Sequence, residues 1–446
     1  LRRSEVHLLL KVAFSLSIAA AGMTVQAQVM GPDGAATVLD GQSQSFSVLR
    51  HLLSGGGRYA VGLPGVSADL RTNFISLGLL EDDFSKDASG NAPFLDESEK
   101  RRILDLFSEG TGNLRLAAVA HLFTAGMRIG DLALVLSAEE RIFASAALAR
   151  DAFDLAFFGN EPGRTYSFDG TEITAAWMRQ FSIAAGGINS VPGIGSLRLY
   201  GRVGYLSGFA FLRTRAEETR FFTADSDYSI RTSGGFVETS TTDVQFPGSP
   251  RGGGWGFDFL VELAMKNAVT VAAGVVDVGR LVWDKGVEQR VSDGHFILTD
   301  LASKSQGESL DSAYRVSDPQ MVSERTALPA RLIVRGSWEE AAAGGGIPGI
   351  GGRLGAGVGL SQTLSKEGLL GEQTLLHAFV EWEPAAWIGI GVGGSYSSPG
   401  GAGLITFVDV GTSTFHFQVG TKNALGLFAA RSALSASLAT SLLLTF

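Results

Sequence analysis

Charged residues recur at single positions inside otherwise apolar, alternating stretches: Arg115, Glu139, Arg198, Arg202, Asp258, Glu262, Arg331, Arg335 and Arg353. On an extended chain, successive side chains point to opposite faces, so each of these groups shares a face with small or polar neighbours and opposes an apolar one. Arginine presents a planar, permanently charged fork that matches carboxylates and phosphates, and a ladder of such forks would guide a solute with an anionic head. The acidic members allow a second arrangement, in which the charges pair with one another and fill the space they face. Residue type alone supports both.

Other chemistry is poorly supplied. The six histidines, at 7, 51, 121, 295, 377 and 416, form no H-E-x-x-H or comparable ligand spacing. No cysteine occurs, which removes disulfides, thiolate ligands and cysteine nucleophiles. Gly41-Gln42-Ser43-Gln44-Ser45 lacks the closing glycine of a nucleophile elbow. Gly389 to Gly394 and Gly344 to Gly349 fit G-x-G-x-x-G in letters, but neither opens a helix after a strand, as phosphate cradling requires. We therefore expect no catalytic residue, no metal and no cofactor. A net charge of −9 argues against nucleic acid as a partner.

The elements that must hold the charges are strands. Hydrophobic residues make up 45% of the 446-residue chain, yet beyond the N-terminus no run approaches the roughly 20 apolar residues of a membrane helix. Arg2, Arg3 and Lys11 precede an apolar run from Val12 to Val25 and an A-x-A-like Val25-Gln26-Ala27, so residues 1–27 read as a secretory signal peptide. Residues 28–57, rich in Gly, Ser, Asp and Gln around an apolar Phe46 to Leu53, read as an N-terminal plug or a periplasmic arm. Residues 58–446 read as an all-β transmembrane antiparallel up-and-down barrel of about 14 strands with long extracellular loops.

The expected spans are 58–70, 112–127, 131–147, 170–187, 196–213, 255–266, 268–283, 326–337, 352–363, 374–383, 385–396, 402–410, 412–420 and 434–446. In the clearest, Trp255, Phe257, Phe259, Val261, Leu263 and Met265 oppose Gly256, Asp258, Leu260, Glu262, Ala264 and Lys266, and carboxylates on the lipid side would be costly. Spans 374–383 and 402–410 alternate poorly, and Arg179 falls in phase with Trp177 and Phe181, which predicts a bulge or a headgroup-level position. Odd connections are long (71–111, 148–169, 214–254 and 284–325) and even ones are tight, the asymmetry of barrels with short periplasmic turns. Within them, Glu97 to Gly110 and Asp151 to Phe158 have helical character, and 214–254 reads as a hairpin above the membrane. Trp255, Trp283, Trp338, Trp382 and Trp387 are expected to form an aromatic girdle. The last strand carries Leu442, Leu444 and a terminal Phe446, the pattern of a barrel-assembly signal.

Tyr59-Ala60-Val61-Gly62-Leu63-Pro64-Gly65-Val66-Ser67, the segments Leu104 to Leu122 and Ser137 to Leu155, Asn160-Glu161, Gly204 to Ala210, and Val275 to Trp283 together resemble the domain-of-unknown-function 5723 family. The likeness runs over roughly 58–340 and implies an outer-membrane barrel distantly similar to the FadL transporters of hydrophobic compounds and to the secretion component PorV. The chain departs from such proteins where they carry Asn-Pro-Ala before the first strand; here stands His51-Leu52-Leu53-Ser54-Gly55-Gly56-Gly57. The resemblance implies a passive channel or transporter for small amphipathic or hydrophobic molecules, or else a non-transporting component of a secretion or surface complex. Its implied partners are outer-membrane lipid, the barrel-assembly machinery, and a small hydrophobic ligand or a secretion complex.

Overall fold

Alternation becomes wall. The computed structural model describes residues 44–55, 57–77, 95–107, 110–242, 248–266, 268–298, 316–339, 352–365, 369–385, 387–412, 414–428 and 433–446. The expected signal peptide and residues 28–43 lie outside them. The wall is built from β1 (Tyr59–Gly62), β2 (Gly65–Thr72), β3 (Thr111–Ile129), β4 (Leu132–Ala149), β6 (Glu172–Val191), β7 (Gly195–Thr223), β9 (Gly252–Met265) and β10 (Val269–Trp283). It continues through β14 (Arg331–Glu339), β15 (Arg353–Thr363), β16 (Thr374–Ala385), β17 (Ile388–Ser398), β18 (Gly401–Gly411), β19 (Phe415–Thr421) and β20 (Ser435–Thr445). Short β5 (Thr165–Ser167), β8 (Ile230–Thr241), β11 (Val287–Leu298), β12 (Gln320–Met321) and β13 (Glu324–Ala327) extend it at one end.

Every pairing is antiparallel, and β20 pairs with both β1 and β2, which themselves pair with β3, so the sheet closes. Segments β1 and β2 are one wall strand interrupted at Leu63-Pro64, where proline has no N–H to offer the ladder. Counted so, the barrel has 14 strands. The poorly alternating spans 374–383 and 402–410 are full wall strands, β16 and β18. Tight turns join β3 to β4 and β6 to β7; Gly130, with φ +64°, makes the first one possible.

On the outward face stand Leu132, Leu134, Leu136, Phe181, Ile183, Phe257, Phe259, Val358, Val380 and Val392, all exposed, as a lipid-facing band requires. No helix among the described residues is long and apolar enough to cross a membrane. The upper part of β7 leaves the wall: Leu212 to Thr223 pair with β8, which pairs in turn with β11 to make a flap beyond the barrel rim. Beside it, α2 (Glu97–Asp105) and α3 (Arg150–Phe158) join Phe74, Phe107, Phe153 and Phe157 in an apolar cap. A short α4 (Ala424–Phe428) follows β19.

Four of the five expected girdle tryptophans are exposed or half-buried, with Trp255 54% exposed. Trp283 is a correction. It is 0% exposed, stacks on Phe211 at 5.2 Å and donates from Nε1 to Thr326 Oγ1 at 2.9 Å. The cause is an irregularity in β10 between Val275 and Val278, which reverses the face on which later residues fall.

Candidate functional site: a helix and a charge belt in the lumen

Helix α1 (Gln44–Leu53) is buried along its length within the barrel. Phe46, Val48, Leu49, Leu52 and Leu53 pack on Ala60, Ala133, Val135, Ala184, Tyr200, Leu260, Ala272, Val276, Ile333 and Leu443, all inward members of their strands. Small wall residues make room for the helix. A Cβ on Gly126 would stand 3.0 Å from both Leu52 Cδ1 and Val48 Cγ1, so glycine sets how closely helix and wall approach.

Polar contacts seat the same helix. Ser45 Oγ lies 2.7 Å from Ser137 Oγ, which lies 2.8 Å from Ser182 Oγ. Thr124 Oγ1 donates to Gln44 Oε1 at 2.9 Å, and Arg128 Nη1 donates to the Leu52 carbonyl at 3.2 Å. Arg50 Nε donates to Glu262 Oε2 at 3.0 Å. The same carboxylate, 0% exposed, takes Arg198 Nη1 at 2.7 Å and Arg335 Nη2 at 2.9 Å. Three guanidiniums thus surround one carboxylate, and a third of that positive charge arrives on α1.

A second group crosses the lumen through inward positions of β4, β7, β9, β10 and β14. Arg202 bonds Glu139 at 3.1 Å and Asp258; Arg141 reaches Asp277 at 2.7 Å; Arg331 reaches the other Asp277 oxygen at 3.1 Å. Asp258 Oδ1 also accepts the Asp277 backbone N–H at 2.6 Å, and Arg141 donates to Gln180 Oε1 at 2.8 Å. Arg141, Arg202 and Arg331 therefore balance Glu139, Asp258 and Asp277, the condition under which buried charges are tolerated.

Of the residues singled out from sequence, Glu139, Arg202, Asp258 and Arg331 meet in this belt, and Arg198, Glu262 and Arg335 meet beneath α1. Arg115 stands apart towards the flap end, donating to the Glu372 carbonyl. Arg353 stands at the other mouth, with a 45% exposed side chain paired to Glu383. Sequence reasoning missed Arg141, Arg50 and Asp277. The signal for Asp277 is an acid in the run Val275-Val276-Asp277-Val278, where alternation breaks; its φ of +58° turns it inward at the β10 irregularity.

Arg179 does face outward. It bonds Glu140 at 2.6 Å, and Trp177 Nε1 donates to the same carboxylate at 2.8 Å. Around them Phe181, Ser207, Phe209, Gly248 and Pro250 outline a groove of about 230 Å³ on the outer wall, beside an extra residue in β7 opposite Trp177/Met178.

Residues 55–421 match the model of a family of unknown function, DUF5723. The chain belongs to that family. No curated protein matches it. Among solved structures, this DUF5723 chain is similar to the toluene transporter TbuX of Ralstonia pickettii, with 10% identity, TM-score 0.40, and 94% of this chain and 99% of that one covered. It is also similar to the P. putida toluene transporter TodX (9%, TM-score 0.40, 90% and 94% covered) and to the translocator domain of autotransporter NalP from Neisseria meningitidis (9%, TM-score 0.33, 92% and 100% covered). At such scores these likenesses decide nothing about function.

Proposed function

We propose that this protein is an outer-membrane channel for small amphipathic or hydrophobic molecules, closed by α1. The supporting observation is the seat of that helix. Its side chains bond Ser137, Thr124 and Glu262 on the wall, so non-covalent contacts hold the helix in the lumen. Withdrawal of α1 would uncover Arg198 and Arg335 around Glu262, a net positive ring suited to an anionic head, above apolar wall residues suited to a hydrocarbon tail.

The full chain in liposomes should admit a fluorescent medium-chain fatty acid faster than protein-free vesicles do. Arg50→Ala with Ser45→Ala should raise that rate several-fold by loosening the seat. Uptake no faster than in empty vesicles for both proteins would refute the reading.

A second reading, a structural or assembly component of a surface complex, is favoured by the flap of β7, β8 and β11. Removing residues 212–241 together with 287–298 should then abolish co-purification of a partner at native expression while leaving uptake intact.

A further inference from the structure

The inner wall opposite the charge belt carries a second acidic group. Gly389 on β17 pairs with Asp409 on β18, and Glu381 on β16 reaches over the same glycine. A Cβ at position 389 would lie 2.8 Å from Glu381 Oε1, 3.5 Å from Asp409 Cβ and 3.7 Å from Glu383 Cγ. The absent side chain is what lets these arms converge. Glu383 is engaged by Arg353.

Asp409 is 2% exposed, and neither of its oxygens has a hydrogen-bond partner among the described residues. Next to it in register on β19 is Gln418, fully buried, whose amide nitrogen and oxygen are likewise unpartnered. A sealed, ionised carboxylate is strongly unfavourable unless a cation or hydrogen-bond donors share its space, and without them it takes up a proton. Two neighbouring residues on separate strands thus both point to a ligand.

We propose that Glu381, Asp409 and Gln418 form a binding site for a compact monovalent cation, either an alkali ion or a primary ammonium. Carboxylate and amide oxygens are hard donors, and the Asp409 carboxylate supplies one negative charge to match one monovalent cation. The site is independent of the channel reading, because occupancy is measured without flux.

The test is equilibrium dialysis of the purified full chain in detergent against radioactive rubidium, with methylammonium as competitor. A single saturable rubidium ion per chain is expected. Asp409→Asn should weaken it at least about tenfold, a change that corresponds to about 1.4 kcal/mol. Glu381→Gln and Gln418→Leu should weaken it too, and each carries the test if Asp409→Asn fails the heat-dependent gel shift of a folded barrel. Displacement by methylammonium extends the site to primary ammonium groups; failure to displace confines it to alkali ions. No saturable binding to the native chain, or binding unchanged in folded Asp409→Asn and Glu381→Gln, overturns the proposal.

Discussion

Glu262 shows how much one side chain can hold. It receives Arg50 from the helix, Arg198 from β7 and Arg335 from β14, with no exposure to solvent. Removing one partner of a buried ion pair costs about 3–5 kcal/mol, because the remaining charge is left uncompensated. Here three like charges would remain. Glu262→Ala should therefore lower stability to urea in lipid vesicles by at least about 3 kcal/mol, and a loss below 1 kcal/mol would show that the guanidiniums find other partners. The sequence exposed Glu262, Arg198 and Arg335 as inward groups because each falls on the face opposite the apolar one in a two-residue rhythm. It did not expose Arg50, which belongs to a helix, or Arg141, whose strand carries Glu139, Glu140 and Arg141 in succession and so hides which side each takes. Trp283 is expected in the girdle, but it and Asp277 turn inward because the alternation of β10 shifts between Val275 and Val278.

At the scale of elements, the wall strands were legible because one face meets lipid and the other the lumen. The spans 374–383 and 402–410 alternate poorly, yet they flank the glycines of β17, and large side chains lean over these: a Cβ at Gly391 would meet the Phe407 ring. The rim helices follow local chemistry instead. Asp96 caps α2, accepting the Glu99 N–H at 2.9 Å, while Glu99 reaches back to the Asp96 N–H, and Phe107 just beyond the helix packs on Phe74 and Phe153. Hydrogen bonds from the Ser98 hydroxyl and the Glu99 backbone hold the Asp96 carboxyl below its ordinary 3.8. A lowered value means the cap contributes above the ordinary pKa and is lost as pH falls through the value in the folded protein. Amide exchange across residues 97–105, corrected for intrinsic rates, should thus accelerate selectively below about pH 3.8, and Asp96→Ala should show that faster exchange already at neutral pH. Uniform exchange in both proteins would contradict the capping account. The flap had a partial sequence signature: 214–254 read as a hairpin, but its pairing with β11 joins segments about fifty residues apart, which no local pattern encodes.

The whole molecule joins two solutions to one problem. A closed sheet leaves no edge, so every wall strand satisfies its backbone within the ring, and the apolar outward band can face hydrocarbon. The interior is then occupied by α1 and paired charges, and in the channel proposed above passage depends on the helix leaving. The chain has no cysteine, so Ser45→Cys with Ser137→Cys would introduce the sole thiol pair, at positions whose hydroxyl oxygens stand 2.7 Å apart. Uptake of the fatty-acid probe by vesicles bearing this variant is the most direct test of the account. The account predicts a cross-link on oxidation, loss of protein-dependent uptake, and recovery on reduction. Uptake that is unchanged by a formed cross-link, or a pair that fails to cross-link in the folded barrel, would contradict it.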